Sequence, residues 1–172
     1  RAEARDGIRR LPPQAVARDV HLQITVAWIT ALGEAASTVP SLIEQISRHP
    51  LFDEQCRFET ALVAAAAGTF LDQPGLITDA LRGLDQVPPQ ATSLHLASLA
   101  NSRANLALLN GDTERARQVL AEILGSASRE PAMRLPLGYG DMLFGLSYLR
   151  EGNPAKAIAV LQPRLESAER EL

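Results

Sequence analysis

One turn sequence occurs twice in the second half of the chain, and this repetition constrains the fold more than any other feature. The turn lies at residues 109–116, which read LNGDTERA, and again at residues 149–157, which read LREGNPAKA. The turn glycines, Gly111 and Gly152, are 41 positions apart. Weaker copies lie at residues 32–34 and 71–74, and the second of these has Gln73 in place of the turn glycine. A period of about 40 residues is typical of stacked helix pairs.

Composition favours helices. Hydrophobic residues make up 46% of the 172 residues and aromatic residues only 4%, so Ala and Leu, the strongest helix formers, dominate the packing. The net charge of −3 is too small to imply attraction to nucleic acid or to an anionic membrane. No apolar run reaches the roughly 18 residues that a membrane span needs. The single cysteine excludes an internal disulfide, so we expect a cytoplasmic protein.

The sequence pattern predicts eight helices joined mostly by short loops. Because the loops are short, we expect consecutive helices to lie antiparallel. The predicted helices cover residues 14–32, 41–48, 53–71, 76–86, 91–109, 112–124, 136–150 and 153–172. They form approximate repeats at residues 14–50, 52–89, 91–130 and 132–172. We therefore predict an all-α fold, a single domain over residues 1–172 in which about four helical hairpins form a right-handed solenoid. Because the chain has neither a starting Met nor a signal-peptide pattern, we expect it to be a piece of a longer protein.

The last two copies resemble the tetratricopeptide repeat. Small residues of that consensus allow two helices to approach closely, and larger residues fill the gap to the next repeat. The matching residues are Gly145, Tyr148, Gly152 and Ala157 in the last copy and Ala104, Gly111, Ala116 and Leu120 in the copy before it.

Along nearly its whole length the chain also resembles the helical-repeat region of MalT-like regulators, the large ATP-dependent members of the LuxR class. The resemblance lies in residues 27–33 (AWITALG), 104–112 (ANLALLNGD) and 134–140 (RLPLGYG). It implies a superhelix that binds an inducer or a regulatory protein, with a nucleotide-binding domain upstream and a helix-turn-helix downstream. Since the chain itself has no GxxxxGK[ST] motif and no basic recognition helix, we expect it neither to hydrolyse ATP nor to bind DNA.

A polar stripe on the fifth predicted helix is the sharpest candidate site. Ser98, Asn101 and Asn105 are spaced three and four residues apart, so they share one helical face. In the repeat register this face lies on the concave wall of the solenoid, where amides suit a sugar, a peptide backbone or a carboxylate. Protein-binding tetratricopeptide domains have an Asn at the place of Asn105, but the chain does not supply the Lys and Arg partners of their carboxylate clamp. The alternative is a solvated groove face.

An apolar stripe follows on the seventh predicted helix, formed by Tyr139, Met142, Leu146 and Leu149. Together with Phe70 it would make that part of the groove apolar and suitable for a small ligand. The alternative is ordinary packing, with a further repeat covering the stripe.

Trp28, the only tryptophan, lies on a helix with several polar residues and could stack on a sugar ring or a planar ligand. The alternative is packing between helices.

No catalytic or metal-binding pattern stands out. The three histidines fall on separate helices or turns without Cys or Asp at ligand spacing. Cys56 has no neighbouring His base, so we expect a buried, inert thiol. Glu114, Arg115 and Arg117 are expected to be exposed charges of the outer face.

The sequence therefore predicts the non-catalytic, cofactor-free effector- or partner-binding domain of a MalT-like regulator. The expected partner is a small-molecule inducer or a regulatory protein in the concave groove, with self-association through exposed solenoid ends left open. The alternative function is a tetratricopeptide-type scaffold that recognises a peptide or helix in the groove.

Overall fold

The computed structural model describes residues 7, 11–33, 35–84, 86–126 and 134–169, and it confirms the all-α prediction for this part of the chain. One turn of 3-10 helix, Ala36–Thr38, precedes the third helix. None of the described helices is both long enough and apolar enough to cross a membrane. Within the described ranges, nine α-helices have defined bounds: α1 (Pro13–Arg18), α2 (Val20–Ala31), α3 (Val39–Ser47), α4 (Glu54–Phe70), α5 (Pro74–Leu81), α6 (Ser93–Leu109), α7 (Thr113–Ser126), α8 (Arg134–Arg150) and α9 (Pro154–Glu169).

The chain divides into two compact units, Arg1–Ala91 and Thr92–Leu172. In the first unit α2 pairs with α3, α4 packs on both of them, and α5 pairs with α4. In the second unit α6 pairs with α7, α8 packs on both of them, and α9 pairs with α8. The two units therefore repeat one pattern of helix neighbours.

Three turns between paired helices share one backbone geometry. In each, a residue with positive φ follows the first helix, and the next amide N–H donates to the carbonyl five residues earlier, which is a Schellman motif. The φ values are 53° at Asp72, 80° at Gly111 and 73° at Gly152. The N···O distances are 2.8 Å from Gln73 to Gly68, 2.8 Å from Asp112 to Ala107 and 2.9 Å from Asn153 to Tyr148.

This geometry corrects the predicted alignment of the second copy. Asp72, not Gln73, takes the place of the turn glycine, because Asp72 is the residue in the left-handed region. Aspartate tolerates that region better than most residues since its short polar side chain can bond locally. The second copy therefore has the same turn as the two glycine-containing copies.

The residue after the positive-φ position also starts the next helix. The Asp112 carboxylate accepts from the Arg115 amide N–H at 2.9 Å, which confirms Asp112 as the predicted N-cap. The Asn153 side chain accepts in the same way from the Lys156 amide N–H at 3.2 Å. One short sequence thus ends one helix and begins the next.

Two predicted helix boundaries are wrong. The predicted helix over residues 14–32 is interrupted at Asp19, which is extended (φ −120°, ψ 109°) and whose carboxylate accepts from the amide N–H groups of His21 and Leu22. The Asp19 side chain therefore caps the start of α2 instead of continuing α1. The predicted helix over residues 76–86 ends at Leu81 because Gly83 lies in the left-handed region with φ 84°.

Each unit has its own core, built from aliphatic and small side chains. In the second unit α6, α7 and α8 meet at the buried residues Ala104, Leu108, Ala116, Leu120 and Leu143. In the first unit α2, α3 and α4 meet at Val20, Ile24, Ala27, Ala31, Val39, Ile46, Cys56, Val63 and Ala67. Alanines at these contacts keep the helix axes close, so that a chain with few aromatic residues still packs densely.

The turn geometry predicts that a Gly→Ala substitution changes the free energy of unfolding in opposite directions at Gly111 and Gly75. Gly111→Ala forces a Cβ into the left-handed region and should lower the free energy of unfolding by about 1 kcal/mol. Gly75→Ala, inside α5 with no atom within 4 Å of the new Cβ, should raise it by about 0.5–1 kcal/mol. Asp72→Gly should also raise it, since it removes left-handed strain. Urea unfolding measures all three, and an Asp72→Gly variant less stable than the wild type would contradict the assigned turn.

At two close helix contacts, an added methyl group should lower the free energy of unfolding by different amounts. In Gly68→Ala the new Cβ would lie 2.9 Å from Ile77 Cγ1, 3.1 Å from the Ile77 backbone N and 3.2 Å from the Gln73 backbone O. In Gly145→Ala it would meet only side-chain atoms of Leu161, the nearest at 2.9 Å. Because backbone atoms cannot rotate away, Gly68→Ala should cost about 2 kcal/mol and Gly145→Ala about 1 kcal/mol or less.

The control for this pair is Gly138→Ala, where the added Cβ meets nothing within 4 Å. Thermal unfolding should rank the three variants in the order Gly138→Ala, Gly145→Ala, Gly68→Ala, from most to least stable. The reverse order of the last two would show that the α4–α5 contact is looser than described.

Candidate functional site

The predicted polar stripe lies on α6, and its three residues differ in exposure. Ser98 and Asn105 are half-buried, whereas Asn101 is only 8% exposed. Leu108, two helical turns after Asn101 and therefore on the same side of α6, belongs to the core cluster that includes Leu143 of α8. Asn101 thus lies on the side of α6 that faces the core of the second unit, and Ser98 and Asn105 border it.

The polar groups of this stripe already have local interactions. The Ser98 hydroxyl donates to the Leu94 carbonyl at 2.9 Å, one turn earlier in α6. Asn101 and Asn105 both interact with other residues of the chain. A ligand at this stripe would therefore exchange existing interactions rather than meet bare polar groups.

The predicted apolar stripe on α8 divides into two parts. Tyr139 and Leu146 pack against the core cluster of the second unit, and burial raises the pKa of the Tyr139 hydroxyl above its usual value. Met142 and Leu149 are 45% and 49% exposed. The structure thus brings five predicted site residues onto the packed helices α6 and α8, and Met142 is the most exposed of them. The five are Ser98, Asn101, Asn105, Tyr139 and Met142.

Trp28 and Phe70 belong to the first unit. The Trp28 ring is half-buried and packs against the core cluster that contains Val20 and Ile24, which is the surrounding expected from the packing alternative. Phe70, at the last residue of α4, is 51% exposed.

The prediction that Arg117 is an exposed outer-face charge is wrong. Its side chain is only 20% exposed, and its guanidinium group donates to the Glu151 carboxylate at 2.7 Å. The same group donates to the Ser147 hydroxyl at 3.3 Å and lies 4.9 Å from the centre of the Tyr148 ring. Arg117 therefore joins α7 to the C-terminal end of α8 through charge, hydrogen bond and ring contact together.

Two further residues extend this Arg117 cluster, which we define as Thr113, Arg117, Ser147, Tyr148, Glu151 and Lys156. The Thr113 hydroxyl donates to Glu151 at 2.5 Å, and the Lys156 ammonium lies 5.4 Å from the Tyr148 ring centre. Hydrogen bonds from Arg117 and Thr113 hold the pKa of Glu151 below its usual value. Sequence spacing could not reveal the pair, because Arg117 and Glu151 are 34 residues apart and on separate elements.

The structure places Cys56 and the candidate metal-ligating residues as follows. Cys56 is 1% exposed in the core of the first unit, so the predicted burial of this thiol is confirmed. Burial also raises its pKa, which disfavours the reactive thiolate. Within the described ranges, His, Cys, Asp and Glu form no group of three or more that could hold a metal ion.

Comparison of the chain with protein-family models, with curated proteins and with solved structures gives no match. A functional interpretation therefore depends on the contacts of the chain itself, and above all on the packed helices α6 and α8.

The pKa of Glu151 predicts a change in acid stability. Because its pKa in the folded state is below the ordinary value of 4.5, its stabilising contribution is complete above that pH and is lost as the pH falls through the folded-state pKa. Glu151→Gln should lower the melting temperature at neutral pH and reduce the further loss on acidification. Thermal unfolding followed by circular dichroism from neutral pH to about pH 3 measures both effects.

The matched control places the same substitution in an Arg117→Gln background. With the cation removed, Glu151→Gln should change the acid dependence much less than it does beside Arg117. An equal change in both backgrounds would show that Arg117 does not cause the lowered pKa.

Proposed function

We propose that this chain is the non-catalytic, effector- or partner-binding helical-repeat domain of a MalT-like transcriptional regulator of the LuxR class. The proposal includes a tetratricopeptide-like, right-handed solenoid of about four helical hairpins. Its support is the pattern of helix neighbours that recurs within each unit and the Schellman turn that recurs three times. Repeats of this kind create binding surfaces along the first helices of successive pairs.

The observation that supports binding most directly is the mixed surface of α6 and α8. Half-buried Ser98 and Asn105 offer hydroxyl and amide groups, and Met142 offers an exposed apolar side chain. Tyr139 and Leu146 lie on α8 at the register positions of Ser98 and Asn105, 41 residues later. Apolar walls with a few convergent polar groups are typical of sites for small organic ligands.

The proposed mechanism is linkage between ligand binding and the packing of α8 on α6 and α7. A ligand that contacts both α6 and α8 favours the arrangement in which these helices are packed, and it must bind that arrangement better than any other to shift the equilibrium. The Arg117 cluster resists displacement of α8, since moving α8 away from α7 separates Arg117 from Glu151. Neighbouring domains of a longer protein would respond to that difference.

A tetratricopeptide-type scaffold for a peptide or helix is the second candidate. Leu94 and Met142, on the same two helices, are 42% and 45% exposed. Exposed aliphatic side chains flanking polar groups suit an amphipathic helix or an extended peptide.

A ligand screen with site variants tests the proposal. Sugars, aromatic compounds and acyl metabolites are added to the chain, and the melting temperature is recorded. A ligand at about a hundredfold its dissociation constant stabilises by about 2.7 kcal/mol, so a true effector should raise the melting temperature by several degrees. Asn105→Ala should weaken binding by about two- to tenfold, as expected for one lost hydrogen bond.

Gln118→Ala, on the exposed side of α7, is the matched control and should leave ligand affinity unchanged. Equal losses of ligand affinity in Asn105→Ala and Gln118→Ala would place the ligand away from the α6–α8 surface. Capture of one specific protein without any metabolite response would favour the scaffold, and turnover of a generic ester or nucleotide substrate would contradict a non-catalytic role.

A further inference from the structure

The asparagines of the chain differ in the residue that follows each of them, and this residue decides whether an asparagine can deamidate. The asparagines are Asn101, Asn105, Asn110 and Asn153, and the following residues are Ser, Leu, Gly and Pro in that order. In deamidation the backbone nitrogen of the following residue attacks the side-chain Cγ of the asparagine. The reaction therefore needs a following residue that has a backbone N–H and little bulk.

Only one asparagine meets these conditions. The residue after Asn153 is proline, which has no N–H to lose. Asn101 and Asn105 lie inside α6, where the following backbone is helical, and Asn101 is only 8% exposed. Asn110 is exposed and directly follows the last residue of α6, and Gly111 places no side chain beside the attacking nitrogen. The chemistry is therefore favoured at Asn110.

The α6–α7 turn holds Asn110 in a conformation that prevents the attack. Its φ and ψ are −82° and 1°, in the bridge region of backbone conformation. At this ψ the Gly111 nitrogen lies beside the backbone nitrogen of Asn110, away from its side chain. The Gly111 N–H donates to the Leu108 carbonyl at 3.0 Å, and the Asp112 N–H donates to the Ala107 carbonyl at 2.8 Å. Because rotation about ψ of Asn110 breaks both hydrogen bonds, the turn must open before the reaction can occur.

From this we infer that Asn110 is a site of spontaneous deamidation whose rate is set by opening of the α6–α7 turn. In the open turn the Gly111 nitrogen gives its proton to a base in the solvent and bonds to Asn110 Cγ. The bond from Cγ to the side-chain nitrogen then breaks, and that nitrogen takes up a proton and leaves as ammonia. The cyclic imide that remains is hydrolysed by water at one of its two carbonyls, which yields aspartate or isoaspartate. The net reaction consumes one water and releases one ammonia.

The two hydrogen bonds of the turn determine how far folding slows this reaction. Losing both reduces the population of the open turn to about a tenth to a hundredth of the total. We therefore expect Asn110 to react about ten to a hundred times more slowly in the folded chain than in the unfolded chain.

The two products have different consequences for the fold. Aspartate leaves the main chain unchanged, and Glu151, which stands 41 residues after Asn110 in the same kind of turn, shows that a carboxylate is compatible with this position. Isoaspartate adds one carbon atom to the main chain between the acceptors at the end of α6 and the donors at Gly111 and Asp112. Both hydrogen bonds cannot then form at their present lengths, so the isoaspartate form should lose the tight turn between α6 and α7.

Peptide mapping by mass spectrometry tests the site. The full chain is incubated at physiological temperature in mildly basic buffer, once folded and once in concentrated guanidinium chloride. In the folded chain Asn110 should convert and the other three asparagines should remain unchanged, and the denaturant should accelerate conversion at Asn110 by about ten- to a hundredfold. Asn110→Gln should abolish the conversion, because the longer side chain holds its amide carbon one atom farther from the backbone nitrogen.

Two cap variants test whether turn opening sets the rate. Asp112→Ala removes the carboxylate that accepts from the Arg115 amide N–H at 2.9 Å, so the start of α7 frays and the folded chain should convert about two- to tenfold faster. The matched control is Asp53→Ala, which removes the same kind of cap from α4 in the first unit and should leave the rate at Asn110 unchanged. In guanidinium chloride the two variants and the wild type should convert at nearly the same rate.

Urea unfolding of the chromatographically separated products tests the consequence for the fold. The isoaspartate form should have a lower free energy of unfolding than the unreacted chain. Asn110→Asp represents the aspartate form and should unfold close to the wild type. An isoaspartate form as stable as the unreacted chain would contradict the loss of the turn.

Three results would overturn the inference. They are faster conversion at another asparagine of the folded chain, equal rates at Asn110 in the folded and denatured chains, and conversion at Asn110 in the denatured chain alone. If Asp112→Ala does not fold, the ratio of the folded and denatured rates of the wild type decides. None of these measurements depends on what the α6–α8 surface binds.

Discussion

The close approach of paired helices is the constraint on which the rest of this structure depends. Gly68 lies against Ile77 and its backbone, and Gly145 lies against the Leu161 side chain, so a methyl group added at either place would displace a neighbour. Such contacts require short turns that reverse the chain within a few residues, and the positive φ at Asp72, Gly111 and Gly152 provides them. Small and aliphatic side chains then form most of both cores, because van der Waals contact grows as the axes approach.

Polar residues enter this packing where one helix pair meets the next, and they make the contact specific. Arg117 binds Glu151 and Ser147 while lying over the Tyr148 ring, so α8 has one favoured position on α7. Apolar packing alone tolerates sliding, whereas a half-buried cation with directed hydrogen-bond partners favours one position. The proposed binding surface includes α8, whose position on α7 this cluster helps to fix. A ligand there would act on an arrangement that is already defined.

Local rules predicted most of the fold, and long-range contacts account for most of what they missed. The helix-favouring composition and the repeated turn predicted the all-α fold, and Pro, Gly and capping residues such as Asp112 placed most helix bounds close to the observed ones. The break at Asp19 was missed because a long apolar pattern outweighed one capping residue, and the turn at Asp72 was misaligned because a left-handed aspartate looks like any other polar residue. For the site, helical periodicity placed Ser98, Asn101 and Asn105 on one face but could not show that Asn101 is buried. The role of Arg117 depends on a partner 34 residues away, which no local pattern encodes.

The distribution of chromophores between the two units has a practical consequence. The only tryptophan, Trp28, packs in the core of the first unit, and both tyrosines, Tyr139 and Tyr148, lie in the second. Indole fluorescence excited at long wavelength therefore reports the melting of one unit alone, and the tyrosine absorbance, after the indole contribution is subtracted, reports the other. The natural chain thus contains a separate optical reporter for each half, and the coincidence or separation of the two signals measures directly how cooperatively the halves unfold.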